Sequence, residues 1–174
     1  MYFIKEKNLT KDIFINIHQI STGFIEIPNQ VSLNLYAQGC EKKCIGCQNP
    51  ELQKFEGGTK IFISDIDKIL SDYPLSKWIC WLGGDAVYQP DEFMRFNKNF
   101  KKRNMNICLY TGKKFEEIKN LVHDVDLVID GEWNGKSIKD SDTNQTIWIK
   151  RCRARWEKID SWDLLTKQFN DEIK

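Results

Sequence analysis

No stretch of the 174-residue chain approaches the ~20 consecutive apolar residues that span a bilayer. Neither sign of charge is in excess: 26 Lys and Arg stand against 25 Asp and Glu, for a formal net charge of +1. That balance excludes a global electrostatic pull toward nucleic acid or a membrane surface. Met1 to Thr10 is mixed polar and charged and lacks the apolar stretch of a signal peptide. Internal repeats and low-complexity tracts are absent. Histidine is scarce, with only His18 and His123, and the two form no His-x-x-x-His pattern. These absences set the expectation of a cytoplasmic protein with no membrane segment and no direct nucleic-acid role. What remains is globular in composition, with 41% hydrophobic and 29% charged residues. The length suits a single domain over 1–174 with one well-buried core.

Five short apolar runs read as strands: Val31 to Tyr36, Trp78 to Leu82, Ile107 to Tyr110, Leu127 to Ile129 and Thr146 to Ile149. Runs of this kind bounded by Gly and Asp are the pattern of strands buried on both faces. Ile13 to Ile17 reads as an additional edge strand or hairpin arm. Helical signals lie between the runs. Ser64 with Asp67 resembles a capping box opening a helix over Asp65 to Ser71. Pro90, Asp91 and Glu92 suit a first helical turn, and Lys101, Lys102 and Arg103 the last turn of the same helix. Lys113 to Leu121 and Ser161 to Ile173 carry apolar residues at helical spacing. Strands alternating with helices predict an α/β fold with a mainly parallel sheet and right-handed crossovers. Strands starting at 31, 78, 107, 127 and 146 are too few to close an eight-stranded barrel, so a partial, open βα barrel is expected. In such folds chemistry gathers at the C-terminal ends of the strands.

The first of these strands leads into Cys40-Glu41-Lys42-Lys43-Cys44-Ile45-Gly46-Cys47, a Cys-x3-Cys-x2-Cys triplet. One short loop can wrap three thiolates around a compact inorganic core. Iron–sulfur clusters take thiolate ligands, normally four for a 4Fe-4S cubane. Three local ligands leave one iron open to a small molecule. A structural zinc site completed by a remote His or Cys is the alternative, and a plain electron-transfer cluster is a second. Cys80 and Cys108 lie in apolar strands and read as small buried hydrophobes, while Cys152 sits in a basic stretch with no evident partner.

Three cysteines at this spacing after a strand resemble the radical S-adenosylmethionine superfamily. Gly83-Gly84-Asp85, Tyr110-Thr111-Gly112, Asp130-Gly131 and Ser141-Asp142-Thr143-Asn144-Gln145 follow in order. Together they resemble the activating proteins of anaerobic (class III) ribonucleoside-triphosphate reductases. The resemblance spans about residues 31–149 as a core, leaving 150–174 as a C-terminal extension. Ala86 stands where that family usually has Pro. Glu26-Ile27-Pro28-Asn29-Gln30 replaces its usual Asn-Gly-x-Gly-x-Arg stretch.

The resemblance implies a radical S-adenosylmethionine-like fold, a 4Fe-4S cluster on Cys40, Cys44 and Cys47, and S-adenosyl-L-methionine on the open iron. It implies an external one-electron donor such as flavodoxin or ferredoxin. The reductively cleaved cofactor yields a 5′-deoxyadenosyl radical that takes hydrogen from a glycine Cα on a large glycyl radical subunit. Gly83, Gly84 and Asp85 are then expected to receive the amino group of S-adenosylmethionine, although Gly-Gly-Asp is also ordinary turn composition. Thr111 has two readings, a hydrogen bond to the ligand's ribose or carboxylate, or a helix N-cap. Asp130 orients the ligand or the partner's loop, or ends a turn. Asn144, with Gln145, reads the adenine edge, lines the partner channel, or closes a turn. No side chain reads as an obligatory acid or base, in keeping with hydrogen-atom transfer.

Three rival functions stay open. A 7-carboxy-7-deazaguanine synthase type usually follows its last cysteine with Asp-Thr, where this chain has Gln48-Asn49. Activators of other glycyl radical enzymes, such as a formate lyase, are typically longer. A non-enzymatic Fe-S or zinc-binding module is the third. Lys150-Arg151-Cys152-Arg153-Ala154-Arg155 is a solvated face or an acidic partner's dock. Trp133, Trp148, Trp156 and Trp162 read first as core packing and second as a partner interface.

Overall fold

The computed structural model describes residues 13–152 and 155–171. Its strands are β1 (Phe14–Gly23), β2 (Ser32–Ala37), β3 (Thr59–Phe62), β4 (Trp78–Gly83), β5 (Asn106–Thr111), β6 (Leu127–Asp130), β7 (Thr146–Lys150) and β8 (Trp156–Ile159). The helices are α1 (Ile66–Asp72), α2 (Pro90–Lys101), α3 (Phe115–Ile118) and α4 (Trp162–Asp171). All eight strands join one open sheet in the order β3-β1-β2-β4-β5-β6-β7-β8. The α/β architecture is the one expected. Its parallel part is the central set β2, β4, β5 and β6. Antiparallel pairs flank it, β1 with β2 and β3 on one side, and β7 with β6 and β8 on the other.

The apolar strands are buried on both faces, as their composition predicts. In β4, Ile79 and Trp81 point to one face and Trp78 and Cys80 to the other. The first face packs against helices α1, α2 and α3. Trp81 stands edge-on to Phe93 and Phe100 of α2, with ring centroids 5.5 and 6.3 Å apart, and its indole N–H donates to Asn97 Oδ1 at 2.8 Å. The second face packs against α4 through Trp162, Leu165 and Phe169. Each central strand therefore loses solvent on both sides, which makes its alternation almost invisible as polarity.

Several elements differ from expectation, each for a local reason. The run from Ile13 is the hairpin arm of the two readings, not the edge strand: β1 extends to Gly23, pairs antiparallel with β2 and lies between β3 and β2. The edges are β3 and β8, four residues each with two of the four exposed, too short to show an alternating pattern. Thr146–Lys150 pairs antiparallel with β6, because the 131–145 connection contains no crossover helix and a parallel pair needs one. Ser64 does not cap α1. Asp65 ends a 3₁₀ turn instead, and its carboxylate accepts the Phe62 N–H at 2.8 Å. The expected helix over Lys113 to Leu121 shortens to one turn, α3, whose Phe115 and Ile118 remain buried.

The topology brings the C-terminal ends of β2, β4, β5 and β6 to one edge. Ala37 pairs with Gly83, and Thr111 with Asp130. The cysteine triplet and the Gly-Gly-Asp, Thr-Gly and Asp-Gly elements lie at or just after these ends, and Ser141 to Gln145 lies in the 131–145 connection.

Candidate functional site

The cysteine loop leaves β2 at Gln38 and returns through the 3₁₀ turn Pro50–Gln53. Its base is closed by backbone hydrogen bonds from Gly39 N to Leu52 O at 2.9 Å and from Cys40 N to Gln53 O at 3.2 Å. The loop after β4 joins this base: Gly84 N donates to Ala37 O at 2.9 Å, and Asp85 N donates to Gly39 O at 2.8 Å. The approach is close enough that a Cβ on Gly84 would lie 2.5 Å from Gly39 O, 2.8 Å from Ala37 O and 2.9 Å from Leu52 O. Only glycine fits there.

Cys40, Cys44 and Cys47 all line one cavity of about 450 Å³ at the strand ends. Gly83, Gly84, Thr111 and Gly112 form its floor from β4 and β5, and Gly131 follows β6. Among the described residues, no three His, Cys, Asp or Glu side chains converge closely enough to hold a single metal ion. The three cysteines share the lining of the one cavity instead. A sulfur-only donor set on one side of a cavity walled by glycines fits a 4Fe-4S cluster with a small ligand beside it. Burial pushes the Cys40 thiol up to about 11, and the nearby Asp85, Cys44 and Cys47 add to the rise. Bound iron would reverse that balance, since a coordinating thiol is deprotonated by the metal's charge.

Gly83, Gly84 and Thr111 therefore stand with the cysteines on the cavity. Asp85 and Asp130 are buried just behind it, and their carboxylates are occupied. Asp85 Oδ2 accepts from Thr111 Oγ1 at 2.7 Å and from Gly112 N at 3.1 Å, while Oδ1 accepts from Val87 N at 3.3 Å. Burial raises the Asp85 carboxyl to about 6 against the opposing pull of these donors and of Lys113. Asp130 Oδ2 accepts from Phe115 N at 2.6 Å, and Oδ1 from Trp148 Nε1 at 3.2 Å. Both acids tie adjacent loops together. Thr111 does two jobs, since it donates to Asp85 and its hydroxyl accepts from Lys113 N at 3.1 Å. Asn144 faces a neighbouring hollow, and Gln145 is the member of that pair that lines the cysteine cavity.

Tyr110, Lys42 and Trp133 complete the wall beside these residues. Tyr110 lines the cavity and its hydroxyl donates to Glu26 O at 2.8 Å, pinning the β1–β2 connection to the end of β5. Lys42 lies between the first two cysteines and forms an ion pair with Glu132 at 3.8 Å. Trp133 is half-buried and donates its indole N–H to Gly46 O at 3.0 Å. Its only signal in the sequence was its place two residues after Asp-Gly.

The other aromatic and sulfur readings sort cleanly. Trp148 stacks on Phe115 with centroids 4.6 Å apart, Trp156 meets the same ring edge-on, and Trp162 is buried against α4's own core. Cys80 and Cys108 pair in register across β4 and β5 and are fully buried. Cys152 is exposed. In the basic stretch, Arg151 is held by Glu157 and Gln168, and Lys150 by the carbonyl of His123. Arg153 and Ala154 lie outside the described residues. No helix among the described residues is long and apolar enough to cross a membrane.

Residues 30–150 match the family of 4Fe-4S single cluster domains. The anaerobic ribonucleoside-triphosphate reductase-activating protein of Enterobacteria phage T4 is 32% identical over 127 residues, which cover 66% of this chain and 81% of the relative. Among solved structures, QueE from Escherichia coli aligns with 57% of this chain at a TM-score of 0.48 and 10% identity. The alignment takes in 53% of QueE, so the chain spans about half of that protein. By the match to its cysteine-bearing core and the identity to a curated relative, the chain belongs to the 4Fe-4S single cluster domain family and, within it, to the anaerobic ribonucleoside-triphosphate reductase-activating proteins.

Proposed function

We propose that this protein is a radical S-adenosylmethionine activase that generates a glycyl radical on the large subunit of an anaerobic ribonucleotide reductase. The observation that carries the reading is the meeting of Cys40, Cys44 and Cys47 with Gly83, Gly84 and Thr111 around one cavity. The three cysteines hold a 4Fe-4S cluster, which when bound supplies the electron for reductive cleavage of S-adenosylmethionine. Gly83 and Gly84 bring the end of β4 onto the cavity where the ligand's amino group approaches, their missing side chains making room for Tyr36, Leu52 and the root of the cysteine loop. Thr111, fixed by Asp85, presents the end of β5 to the same ligand. Asp130 holds the turn that starts the 131–145 connection, and Asn144 with Gln145 closes that connection toward the partner's side.

The protein's part is position and exclusion of water, since hydrogen-atom transfer needs contact and not a proton shuttle. A polypeptide partner brings its own surface to a cavity at the strand ends of a single sheet. The electron donor we assign is a small carrier of the flavodoxin or ferredoxin class.

Cys44→Ala tests the assignment. The variant is expected to lose both the brown iron–sulfur absorbance and reductive cleavage of S-adenosylmethionine after anaerobic reconstitution. Full cleavage in Cys44→Ala would overturn it, and so would a wild type that binds one zinc and cleaves nothing.

A further inference from the structure

The two halves of the cysteine loop are held by different parts of the protein. Cys40 sits in the backbone lattice of Gly39, Leu52, Gln53 and Asp85. Cys44 and Cys47 lie farther out, joined to each other by the Cys47 N–H donating to Cys44 O at 3.2 Å. Packing gives this tip little: Ile45 is 91% exposed, and a Cβ on Gly46 would meet nothing within 4 Å. What reaches the tip from elsewhere is the segment after β6. Trp133 Nε1 donates to Gly46 O at 3.0 Å, and Glu132 pairs with Lys42 at 3.8 Å. That segment is itself anchored, because Gly131 N donates to Thr111 O at 3.0 Å.

We propose that Trp133 is a positioning residue that locks the Cys44–Cys47 turn through the Gly46 carbonyl and so sets how firmly the loop retains its cluster. This rests on the cluster reading given above. Trp133 approaches the tip from another strand end, so the cluster loop and the 131–145 connection become one unit. Its bond is exposed but short, at 3.0 Å, whereas the Lys42–Glu132 pair stands 3.8 Å apart with both groups substantially exposed, their side chains 31% and 51% accessible. Exposed pairs of that kind contribute little, so the indole bond carries the lock. A hydrogen bond that constrains the backbone between two ligating cysteines also bears on the cluster's electronic surroundings.

The experiment compares anaerobically reconstituted wild type, Trp133→Phe and Glu132→Gln. Trp133→Phe keeps an aromatic ring and removes the N–H. Three quantities are read: the rate of iron loss to a chelator, the cluster's midpoint potential, and the melting temperature of the cluster-free chain. Trp133→Phe is expected to lose iron about fivefold faster, the ratio set by one ordinary hydrogen bond. Its potential shifts and its cluster-free melting temperature stays at the wild-type value. Glu132→Gln stays within about twofold of wild type, as an exposed pair should. Wild-type iron loss and potential in Trp133→Phe would overturn the lock. A fall in cluster-free melting temperature that accounts for the faster loss would also overturn it, because Trp133 would then serve the fold. A wild type that takes up no iron overturns the cluster reading itself, and the lock with it.

Discussion

Gly39 and Cys40 at the root of the cysteine loop are tied by backbone hydrogen bonds, with the Phe55 ring packed on Gly39, whereas Gly46 at its tip, six residues beyond Cys40, stands in open space. Both glycines have positive φ, +97° and +70°, so the contrast is in what surrounds them. At the root, the ends of β2 and β4 and the turn at Pro50–Gln53 share four backbone hydrogen bonds. At the tip, a single indole N–H and an exposed ion pair reach in from the 131–145 connection. On the proposed assignment, one ligand is set by the fold and two by a loop. Damage at the root should therefore spread into the whole protein, and damage at the tip should stay with the cluster.

The strongest way to break the comparison is Gly84→Ala. Its Cβ would press on the carbonyl oxygens of Gly39, Ala37 and Leu52, all backbone and none able to swing away. The expected cost is about 3 kcal/mol, the upper range for overpacking a filled site. Urea unfolding of the cluster-free chain should show that loss, and the variant should take up little iron. Wild-type unfolding in Gly84→Ala would mean that the root is not packed as described.

Asp85 comes next, since it joins the root to the end of β5. Asp85→Ala strands the Thr111 hydroxyl and the Val87 and Gly112 amides without their acceptor. About 2 kcal/mol of stability should go with them. Asp85→Asn sharpens the same point through pH. The Asp85 carboxyl titrates near 3.8 when unfolded and is raised by burial to about 6 in the fold. The folded chain then binds more protons than the unfolded chain between those values, so this contribution is present below about pH 4 and lost as pH rises through 6. The cluster-free wild type should melt lower at pH 7 than at pH 5, by no more than the ~3 kcal/mol that two pH units represent. Thr111, Val87, Gly112 and Lys113 face the carboxyl and favour its charge, and burial outweighs them. Asp85→Asn should flatten that slope. A slope equal to wild type in the variant would assign the pH dependence to another group.

How much of this was legible in the sequence follows the same division. The central strands announced themselves because burial on both faces demands unbroken apolar runs such as Trp78 to Leu82. The cysteines, Gly83, Gly84 and Thr111 were legible because chemistry and close approach restrict residue type. β3 and β8 were not, since four-residue edge strands with two residues exposed are too short to show an alternating pattern. Nor was the behaviour of Asp85 and Asp130, whose carboxylates turn inward to loop amides that lie 15 to 27 residues away or nearby in a turn. Trp133 was read first as core and second as a partner interface, and only the path of the 131–145 connection brings it to Gly46.

Gly46→Ala should have the smallest effect on the fold. Residue 46 holds φ +70°, where an L side chain costs about 1 kcal/mol, but the added methyl meets nothing within 4 Å. Because the tip contributes little packing, that strain should be released by local rearrangement of Cys44 to Cys47 and not passed to the sheet. The cluster-free melting temperature should move by less than about 2 °C, the shift that under 1 kcal/mol gives in a chain of this size. Iron loss to a chelator should nevertheless quicken severalfold, because the turn that presents Cys44 and Cys47 is no longer the preferred one. Calorimetry and chelation on the same preparation separate the two effects. A fall in melting temperature comparable to that of Gly84→Ala would show that root and tip are one mechanical unit, held together before any cluster binds.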